Sequence, residues 1–406
     1  MPASPPPSRL LLFLGLLTLI WGGSLLLDRQ APPGAPLPGG LADPDPLVLV
    51  RLERFAGGEA LELGIRGRWR VVDDLGNMLH EGHGLDAPVR IDSGGYKVGP
   101  WRVRADSFWI EPEGDDALVL DQSRYHGRLR FELKRDRLLL PESFDVLLEL
   151  PLEAYVLGVV CGELPTLAEG AAEALKAQAV AARSYALWRL RGGRRSLSDS
   201  PSDQRFRSID WVTDEARRAV NATQGLVLVW DRALLPAWYH ANCGGGTANA
   251  AVVGFSREEI RPLAGVPDPI CAAGPVWERA VGPEVLDRIA VRDGLGDSFE
   301  RMVLRERDVS GRLISAVLVG QDATLGYRGE DLRRDFGLPS TFWSSLRAVQ
   351  DGSLVVRGTG RGHGVGMCQD GALRLSREGR AFQEILGRYY PGAGLSSLAD
   401  LDRTDP

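Results

Sequence analysis

The sequence predicts an α+β protein in which a β-rich N-terminal module is joined to a mixed α/β core. Hydrophobic alternation dominates residues 47–140, and helical periodicity alternates with short strand-like runs from Pro151 onward. The composition, 44% hydrophobic and 25% charged, is that of a folded chain, and 406 residues exceed one domain of ordinary size. The net charge of −6 contains no long run of one sign, so nucleic acid is not an expected partner.

The first 28 residues predict export from the cytoplasm. Residues 10–27 carry no charge and would span about 27 Å as a helix, just enough to cross the hydrocarbon layer of a bilayer. No small-x-small cleavage site follows this run, which favours an uncleaved membrane anchor, while a cleaved signal peptide stays open. Arg9 would hold the N-terminus inside, so we expect the remainder in the cell envelope, outside the cytoplasmic membrane. Residues 29–46, rich in Pro and Gly, predict an extended linker.

Residues 47–140 predict the β-rich module. Its strands are expected at residues 47–52, 68–72, 98–105, 117–120 and 128–134. Turn signals such as Gly94-Gly95 separate them. This module contains no catalytic constellation, so we expect the functional residues in the core, residues 141–395, with residues 396–406 as a flexible tail.

Two helices are predicted at the start of the core. The apolar spacing of residues 152–159 fits a helix that Pro165 closes. Thr166 followed by Glu169 predicts a capping box that opens a second helix, which Gly192 ends. The second helix is Ala-rich nearly all round, which predicts close packing on several sides. Further along, we expect a helix at 213–222, strands at 225–230 and 313–319, and a last helix at 382–390.

Three stretches in this order resemble the SpoIID/LytB family, which includes the sporulation stage II protein D and the amidase-enhancer proteins of bacterial cell walls. They are LPLEAYVLGVVCGELP with ALKAQAVAARSYAL, then AWYHANCGGGT, then GRGHGVGMCQDGA followed by EILGRYYPG. Weaker echoes lie in SDQRF, SGRLISAVLVG and LRRDFGLPSTFW. The likeness covers roughly residues 130–392. It implies a SpoIID-like catalytic core with a central groove and an activity on peptidoglycan.

The resemblance implies that Glu163 is the catalytic acid of a lytic transglycosylase. The residues themselves agree with this chemistry, because the apolar neighbours Val160 and Leu164 would desolvate the carboxyl and raise its pKa. A carboxylic acid protonated near neutral pH can protonate the leaving oxygen of a glycosidic bond. One acid suffices and no cofactor is required, because the C6 hydroxyl of the sugar attacks the anomeric carbon. The structural alternative is a cap or salt bridge at a helix end, while Glu153 and Glu173 are expected as surface charges.

Three residues of the second helix are candidates for substrate binding. Gln178 and Tyr185 are seven residues apart and share one helix face, whereas Arg183 lies on a roughly opposite face. Arg183 could instead brace the loop that carries Glu163, and helix packing is the alternative for all three.

The glycine-rich loop GRGHGVGMCQ predicts a second part of the substrate site. Its glycines allow close approach of the backbone to a sugar ring, and His363 and Gln369 can form hydrogen bonds with hydroxyl and acetamido groups. A tight structural turn is the alternative. Tyr389 could stack on a sugar or pack in the core.

His240, Cys243 and Cys271 are candidates for a structural zinc site. The resemblance implies that some family members bind zinc through His and Cys in the segment matched by YHANCGGGT. A closed zinc site needs four ligands, and the fourth is missing here. In an oxidising exterior a Cys243–Cys271 disulfide is a competing interpretation. A third possibility is that these residues form neither a zinc site nor a disulfide. Cys161 and Cys368 are expected as small buried side chains.

Two classes of function follow. The first is an enzyme that cleaves peptidoglycan glycan strands with Glu163 as acid and then base, in wall remodelling or a sporulation-like process. The second is a non-catalytic wall-binding protein that enhances a separate cell-wall amidase. A zinc-dependent amidase is disfavoured because the sequence contains no His-Glu-x-x-His motif.

Overall fold

The described part of the chain has the predicted mixed α/β architecture. The structure is a computed structural model that describes residues 46–114, 116–272 and 274–401. The predicted anchor or signal segment and nearly all of the linker lie outside the described residues. Within those ranges, none of the helices combines the length and the apolar character that a membrane span requires.

One large sheet, almost entirely antiparallel, occupies the N-terminal part. Its strands are β1 (Leu47–Arg51), β2 (Ala60–Val72), β3 (Met78–Asp92), β4 (Gly95–Val98), β5 (Trp101–Val103), β6 (Ser107–Pro112), β7 (Leu118–Leu120), β8 (Ser123–Tyr125), β9 (Arg128–Arg135), β10 (Pro141–Pro151) and β11 (Leu197–Ser198). The order along the sheet is β11-β1-β10-β9-β6-β2-β3-β4-β5, with β7 paired to β2 and β8. All five predicted strand segments contain a strand.

This sheet continues across residue 140, where the sequence predicts the start of the core. β9 and β10 are adjacent antiparallel strands in which Leu129 pairs with Leu148. Phe131 of β9 and Val159 of the first helix belong to the same hydrophobic core. The packing therefore joins the two segments that the sequence separates.

Two helices pack beside this sheet, α1 (Leu152–Glu163) and α2 (Ala172–Arg191), and a third, α3 (Asp214–Ala222), packs on both of them. Every residue of α2 from 177 to 187 is buried, as the Ala-rich pattern predicts. The predicted capping box is wrong, because α2 begins at Ala172 with Ala171 as its N-cap, and the Glu173 amide of its first turn donates to the Ser376 hydroxyl instead. Gly192 ends the helix as expected, with its amide donating to the Trp188 carbonyl.

Arg183 is fully buried and joins α1, α2 and the strand after α3. Its Nε and Nη2 donate to the two carboxylate oxygens of Glu153 at 2.8 and 2.6 Å. Its Nη1 donates to the Leu226 carbonyl at 2.9 Å. The prediction of Glu153 as a surface charge is wrong, because its side chain is only 15% exposed and forms this buried ion pair.

The C-terminal half adds small sheets and a second, smaller hydrophobic core. Its elements are β12 (Leu226–Trp230), β13 (Ala233–Leu234), β14 (Tyr239–His240), β15 (Val276–Val281), α4 (Pro283–Asp293), β16 (Phe299–Arg307), β17 (Leu313–Gly320), β18 (Thr324–Arg328), α5 (Gly329–Asp335), β19 (Trp343–Ala348), β20 (Leu354–Thr359), β21 (Met367–Cys368), α6 (Gln369–Arg377), α7 (Phe382–Tyr389), β22 (Gly394–Ser397) and α8 (Leu398–Leu401). The second core lies among β15–β20, α4 and α5. β14 and β21 pair in parallel and bring the two glycine-rich segments together.

The expected flexible tail is wrong for residues 396–401. Ser396 and Ser397 pair with Val227 and Leu226 in β22, and Leu401 of α8 is buried. Residues 402–406 lie outside the described residues.

We predict that Arg183→Met destabilises the fold by about 3–5 kcal/mol, because Glu153 loses its guanidinium partner while remaining largely buried. The free energy of unfolding from urea denaturation measures this. The double variant Arg183→Met/Glu153→Met should recover most of the loss, since an apolar pair replaces both charges. A single variant as stable as the wild type contradicts the bracing role.

Candidate active site

Glu163 is the last residue of α1, and its carboxyl group is held by two amide groups. The backbone N–H of Arg205 donates to Oε1 at 2.7 Å. The side-chain Nε2 of Gln369 approaches Oε2 at 3.5 Å. Among the described residues no lysine, arginine or histidine forms an ion pair with this carboxyl. The helix-end salt bridge, the structural alternative for Glu163, is therefore not formed.

Burial raises the pKa of Glu163 above its ordinary value of 4.5, while the hydrogen bonds from Arg205 and Gln369 partly oppose this. The position at the C-terminus of α1 acts in the same direction as burial, because the carbonyl end of a helix disfavours negative charge. The site can therefore present a neutral carboxylic acid.

Two glycines of α1 allow the loop of residues 199–210 to reach Glu163. The Arg207 amide donates to the Gly158 carbonyl at 3.1 Å. A Cβ on Gly162 would lie 2.2 Å from the Arg205 carbonyl oxygen, and one on Gly158 would lie 2.4 Å from the ring of Phe206. Only glycine at these positions permits the close approach that delivers the Arg205 amide to the carboxyl.

Gln369 and Gln178, both candidates from the sequence, meet beside Glu163. Gln369 Nε2 also donates to Gln178 Oε1 at 3.2 Å, so Gln178 supports Gln369 from behind. Both side chains are buried, and Gln178 Nε2 has no hydrogen-bond partner among the described residues. In this arrangement Gln178 orients Gln369, and Gln369 contacts the acid.

Gln204 from the same loop connects two buried tyrosines. Tyr155 donates its hydroxyl to Gln204 Oε1 at 3.0 Å, and Gln204 Nε2 donates to the Tyr239 hydroxyl at 2.8 Å. Burial raises the pKa of both tyrosines well above the ordinary value, so both are neutral. Tyr185, a predicted substrate ligand, instead donates its hydroxyl to Asp203 of this loop at 3.1 Å. These contacts fix the loop that carries the Arg205 amide.

Three predicted substrate ligands are engaged inside the protein. Both ring nitrogens of His363 are occupied: Nδ1 accepts from the Val365 amide at 3.1 Å, so Nε2 carries the proton and donates to the Tyr239 carbonyl at 3.0 Å. His363 therefore stabilises a tight turn, which is the structural alternative that the sequence offers for this loop. Tyr389 is 1% exposed and therefore offers no stacking surface. Arg183 donates to both carboxylate oxygens of Glu153 on α1. Of its two sequence-based roles, the structural one, bracing, agrees with this contact.

The predicted central groove stays a prediction. A cavity of about 520 Å³ lies in the β-rich module instead. It is lined by Arg70, Val72, Asp73, Asp74, Leu75, Gly76, Met78, Trp109, Glu111, Arg128 and Arg130. Glu163 does not line this cavity, and its arginines are paired with neighbouring carboxylates.

Three cysteines and a carboxylate converge next to the site. Cys243, Cys271, Cys368 and Asp268 each offer one ligand atom, and these atoms lie within 4.8 Å of one another. All four cysteines of the chain are free thiols in the structure, so the Cys243–Cys271 disulfide is not formed there. Burial lowers the pKa of His240, which is therefore neutral.

The amino-acid sequence is similar to those of known proteins. A family model described as SpoIID, Stage II sporulation protein, matches residues 141–230. Stage II sporulation protein D of Bacillus amyloliquefaciens is 29% identical over 268 residues, 61% of this chain and 74% of that protein. The protein of the same name in Bacillus subtilis is also 29% identical, over 61% of this chain and 75% of its own length. The chain is therefore similar to proteins of the SpoIID family over the part that holds Glu163.

A relative with a different name is similar to a larger part of this chain. A Bacillus subtilis protein named Amidase enhancer is 24% identical over 382 residues, 80% of this chain and 52% of that protein. The SpoIID model covers α1, α2 and the loop of residues 199–210, which together hold Glu163, Gln178 and the Arg205 amide. Gln369 lies beyond the matched range.

Sequence reasoning missed the residues that act through the backbone or through long-range contacts. The Arg205 amide carries no side-chain signature, although the echo SDQRF points to its loop. Cys368 was expected as a small buried side chain and Asp268 was not singled out, yet both join the cysteine cluster.

We predict that Gly162→Ala lowers the free energy of unfolding by about 1–3 kcal/mol, because the added methyl group meets the Arg205 carbonyl. Gly387→Ala is the matched control: this helical glycine is exposed and has open space around its Cβ position. The control should be neutral or gain up to about 1 kcal/mol. Equal gains in both variants would contradict the close approach of the loop.

Proposed function

We propose that the chain is a lytic transglycosylase that cleaves the glycan strands of peptidoglycan, with Glu163 as acid and then base. The names of the family relatives support a role at the cell wall. The observation that carries the enzymatic proposal is the half-buried carboxyl of Glu163, whose pKa is raised by burial and which accepts hydrogen bonds from two amides but forms no ion pair among the described residues.

The reaction needs one acid and no water. Glu163 Oε2 transfers its proton to the oxygen of the glycosidic bond as the bond to the anomeric carbon breaks. The C6 hydroxyl oxygen of the same sugar bonds to the anomeric carbon, and the Glu163 carboxylate takes the hydroxyl proton. The products are a free hydroxyl on one sugar and a 1,6-anhydro ring on the other, and the acid is regenerated.

The two amides that hold Glu163 suit both halves of this cycle. The Arg205 amide keeps Oε1 in place throughout, because a backbone N–H can donate to a neutral or an ionised carboxyl. Gln369 Nε2 can shorten its 3.5 Å contact when Oε2 becomes negative after proton transfer. We infer that these donors stabilise the ionised form only moderately, so that the carboxylate remains basic enough to accept the second proton.

A non-catalytic amidase enhancer is the second candidate, favoured by the relative of that name, which aligns with 80% of this chain. In that function the same surface binds glycan and recruits an amidase without cleavage. For either candidate the uncharged run at residues 10–27 supports a location outside the cytoplasmic membrane, attached or secreted.

We predict that Glu163→Gln lowers the rate of glycan cleavage by about 10²–10⁴-fold, because the amide cannot supply a proton. Purified wild type and variant are incubated with peptide-free glycan strands, and 1,6-anhydro ends are counted by mass spectrometry. Glu169→Gln, which alters an exposed glutamate in the turn after α1, is the matched control and should retain full activity.

Equal product from wild type and Glu163→Gln would overturn the enzymatic proposal. If the wild type forms no product but still sediments with glycan strands and stimulates an added amidase, the enhancer function is the correct one.

A further inference from the structure

Three thiols from three separate segments meet in the protein interior. Cys243 follows β14, Cys271 lies in the loop before β15, and Cys368 ends β21. All three are fully buried, and the sulfurs of Cys271 and Cys368 lie 3.6 Å apart. A tetrahedral zinc ion with Zn–S bonds of about 2.3 Å holds its sulfurs about 3.8 Å apart. The thiol spacing therefore matches that of a zinc site.

A buried carboxylate completes a set of four ligands. Asp268 is fully buried, and its Oδ2 lies 3.3 Å from the sulfur of Cys243. The Tyr389 hydroxyl donates to Oδ2 at 2.8 Å, and Arg388 lies 3.2 Å from Oδ1. Hydrogen bonds of this kind orient metal-ligating carboxylates. The role of Tyr389 is thus to fix Asp268.

His240, a ligand candidate from the sequence, lies beside the four ligand atoms. Its side chain is 4% exposed, and its Nδ1 donates to the Val365 carbonyl at 3.1 Å. Nε2 is buried without a hydrogen-bond partner among the described residues, and the ring interacts with the Cys243 thiol. His240 does not belong to the group of mutually close ligand atoms, so it lies beside that group and is not its fourth ligand.

The surrounding charges favour an anionic metal centre. Arg312 is fully buried, donates to the Cys243 carbonyl at 2.6 Å, and leaves Nε and Nη1 without hydrogen-bond partners. A buried cation without an anionic partner is unfavourable. Three thiolates and one carboxylate around a dication leave two negative charges, which Arg312 and Arg388 would balance. The carboxylates of Asp308 and Glu330 also act on Arg312, and an anionic metal centre would add to their compensation of its charge.

We propose that Cys243, Cys271, Cys368 and Asp268 bind one zinc ion, a thiophilic dication suited to a sulfur-rich tetrahedral site. The sequence predicts Cys368 only as a small buried side chain. In the proposed site Cys368 and Asp268 are ligands together with Cys243 and Cys271, and His240 is not. The next residue is Gln369, whose amide contacts Glu163. The metal fixes the backbone of Cys368 and so positions Gln369 against the acid. Only this last step rests on the function proposed above.

Metal analysis of the purified full chain, produced under reducing conditions with zinc, tests the proposal without any substrate. We expect about one zinc per wild-type chain by inductively coupled plasma mass spectrometry. Cys368→Ser should lower zinc affinity at least about tenfold in a competition with a chromogenic chelator. Cys161→Ser is the matched control, because Cys161 lies on α1 outside the group, and it should retain zinc.

A second measurement covers the case in which Cys368→Ser does not fold. Cobalt substituted into the wild type should show thiolate-to-cobalt charge-transfer bands in the near ultraviolet and the visible bands of a tetrahedral site. Thiol titration after denaturation with chelator should then count all four cysteines.

Wild type without zinc, or a count of two thiols from a disulfide, would overturn the site. Full zinc retention in folded Cys368→Ser would overturn the role of Cys368. Because none of these readouts uses cleavage, a failure here is distinguishable from a failure of the proposed enzymatic function.

Discussion

The hydrogen bond from the Arg205 amide to the Glu163 carboxyl is the contact on which the rest of the site depends. It holds the acid at the end of α1 without an ion pair, and burial raises the pKa of Glu163 although this hydrogen bond, the Gln369 contact and the charge of Arg205 oppose the rise. The fold bears a cost for this arrangement. Because the folded pKa lies above the unfolded one, stability is lost as the pH rises from the unfolded pKa through the folded pKa. A raised pKa of Glu163 therefore lowers the free energy of unfolding at neutral pH, so a protonated acid at this position is obtained at the expense of stability.

The elements around this contact serve to keep it in place. Gly158 and Gly162 open one side of α1 to the loop, and Gln204 ties the loop to Tyr155 and Tyr239 in the core. On the far side α2 is buried along its middle, and its Gln178 supports Gln369. The acid is thus approached from two chain segments 42 and 206 residues away in sequence. If zinc occupies the cysteine group, the second of these segments is anchored within one residue of Gln369.

The sequence was sufficient for the periodic elements, while the catalytic role of Glu163 stays a prediction. Alternation located the strands, helical spacing located α1, and the motif containing Glu163 pointed to a catalytic glutamate. Prediction from the sequence failed where the role of a residue depends on a partner that is distant along the chain. Glu153 resembles any surface charge until Arg183 is buried against it, and Tyr389 and His363 look available until Asp268 and Val365 are placed. The capping box failed because Thr166 and Glu169 lie in a turn before the helix, a local choice that tertiary packing decided.

The protonation state of Glu163 is the central claim, and carbon-13 NMR of glutamate carboxyl groups measures it directly. The Glu163 resonance is identified by its absence from Glu163→Gln and is followed as the pH is raised from acid to mildly alkaline values. The account predicts a titration midpoint above 4.5 and above those of the chain's exposed glutamates. A midpoint at or below 4.5 would contradict it, because the carboxyl would then be ionised before any substrate could take its proton.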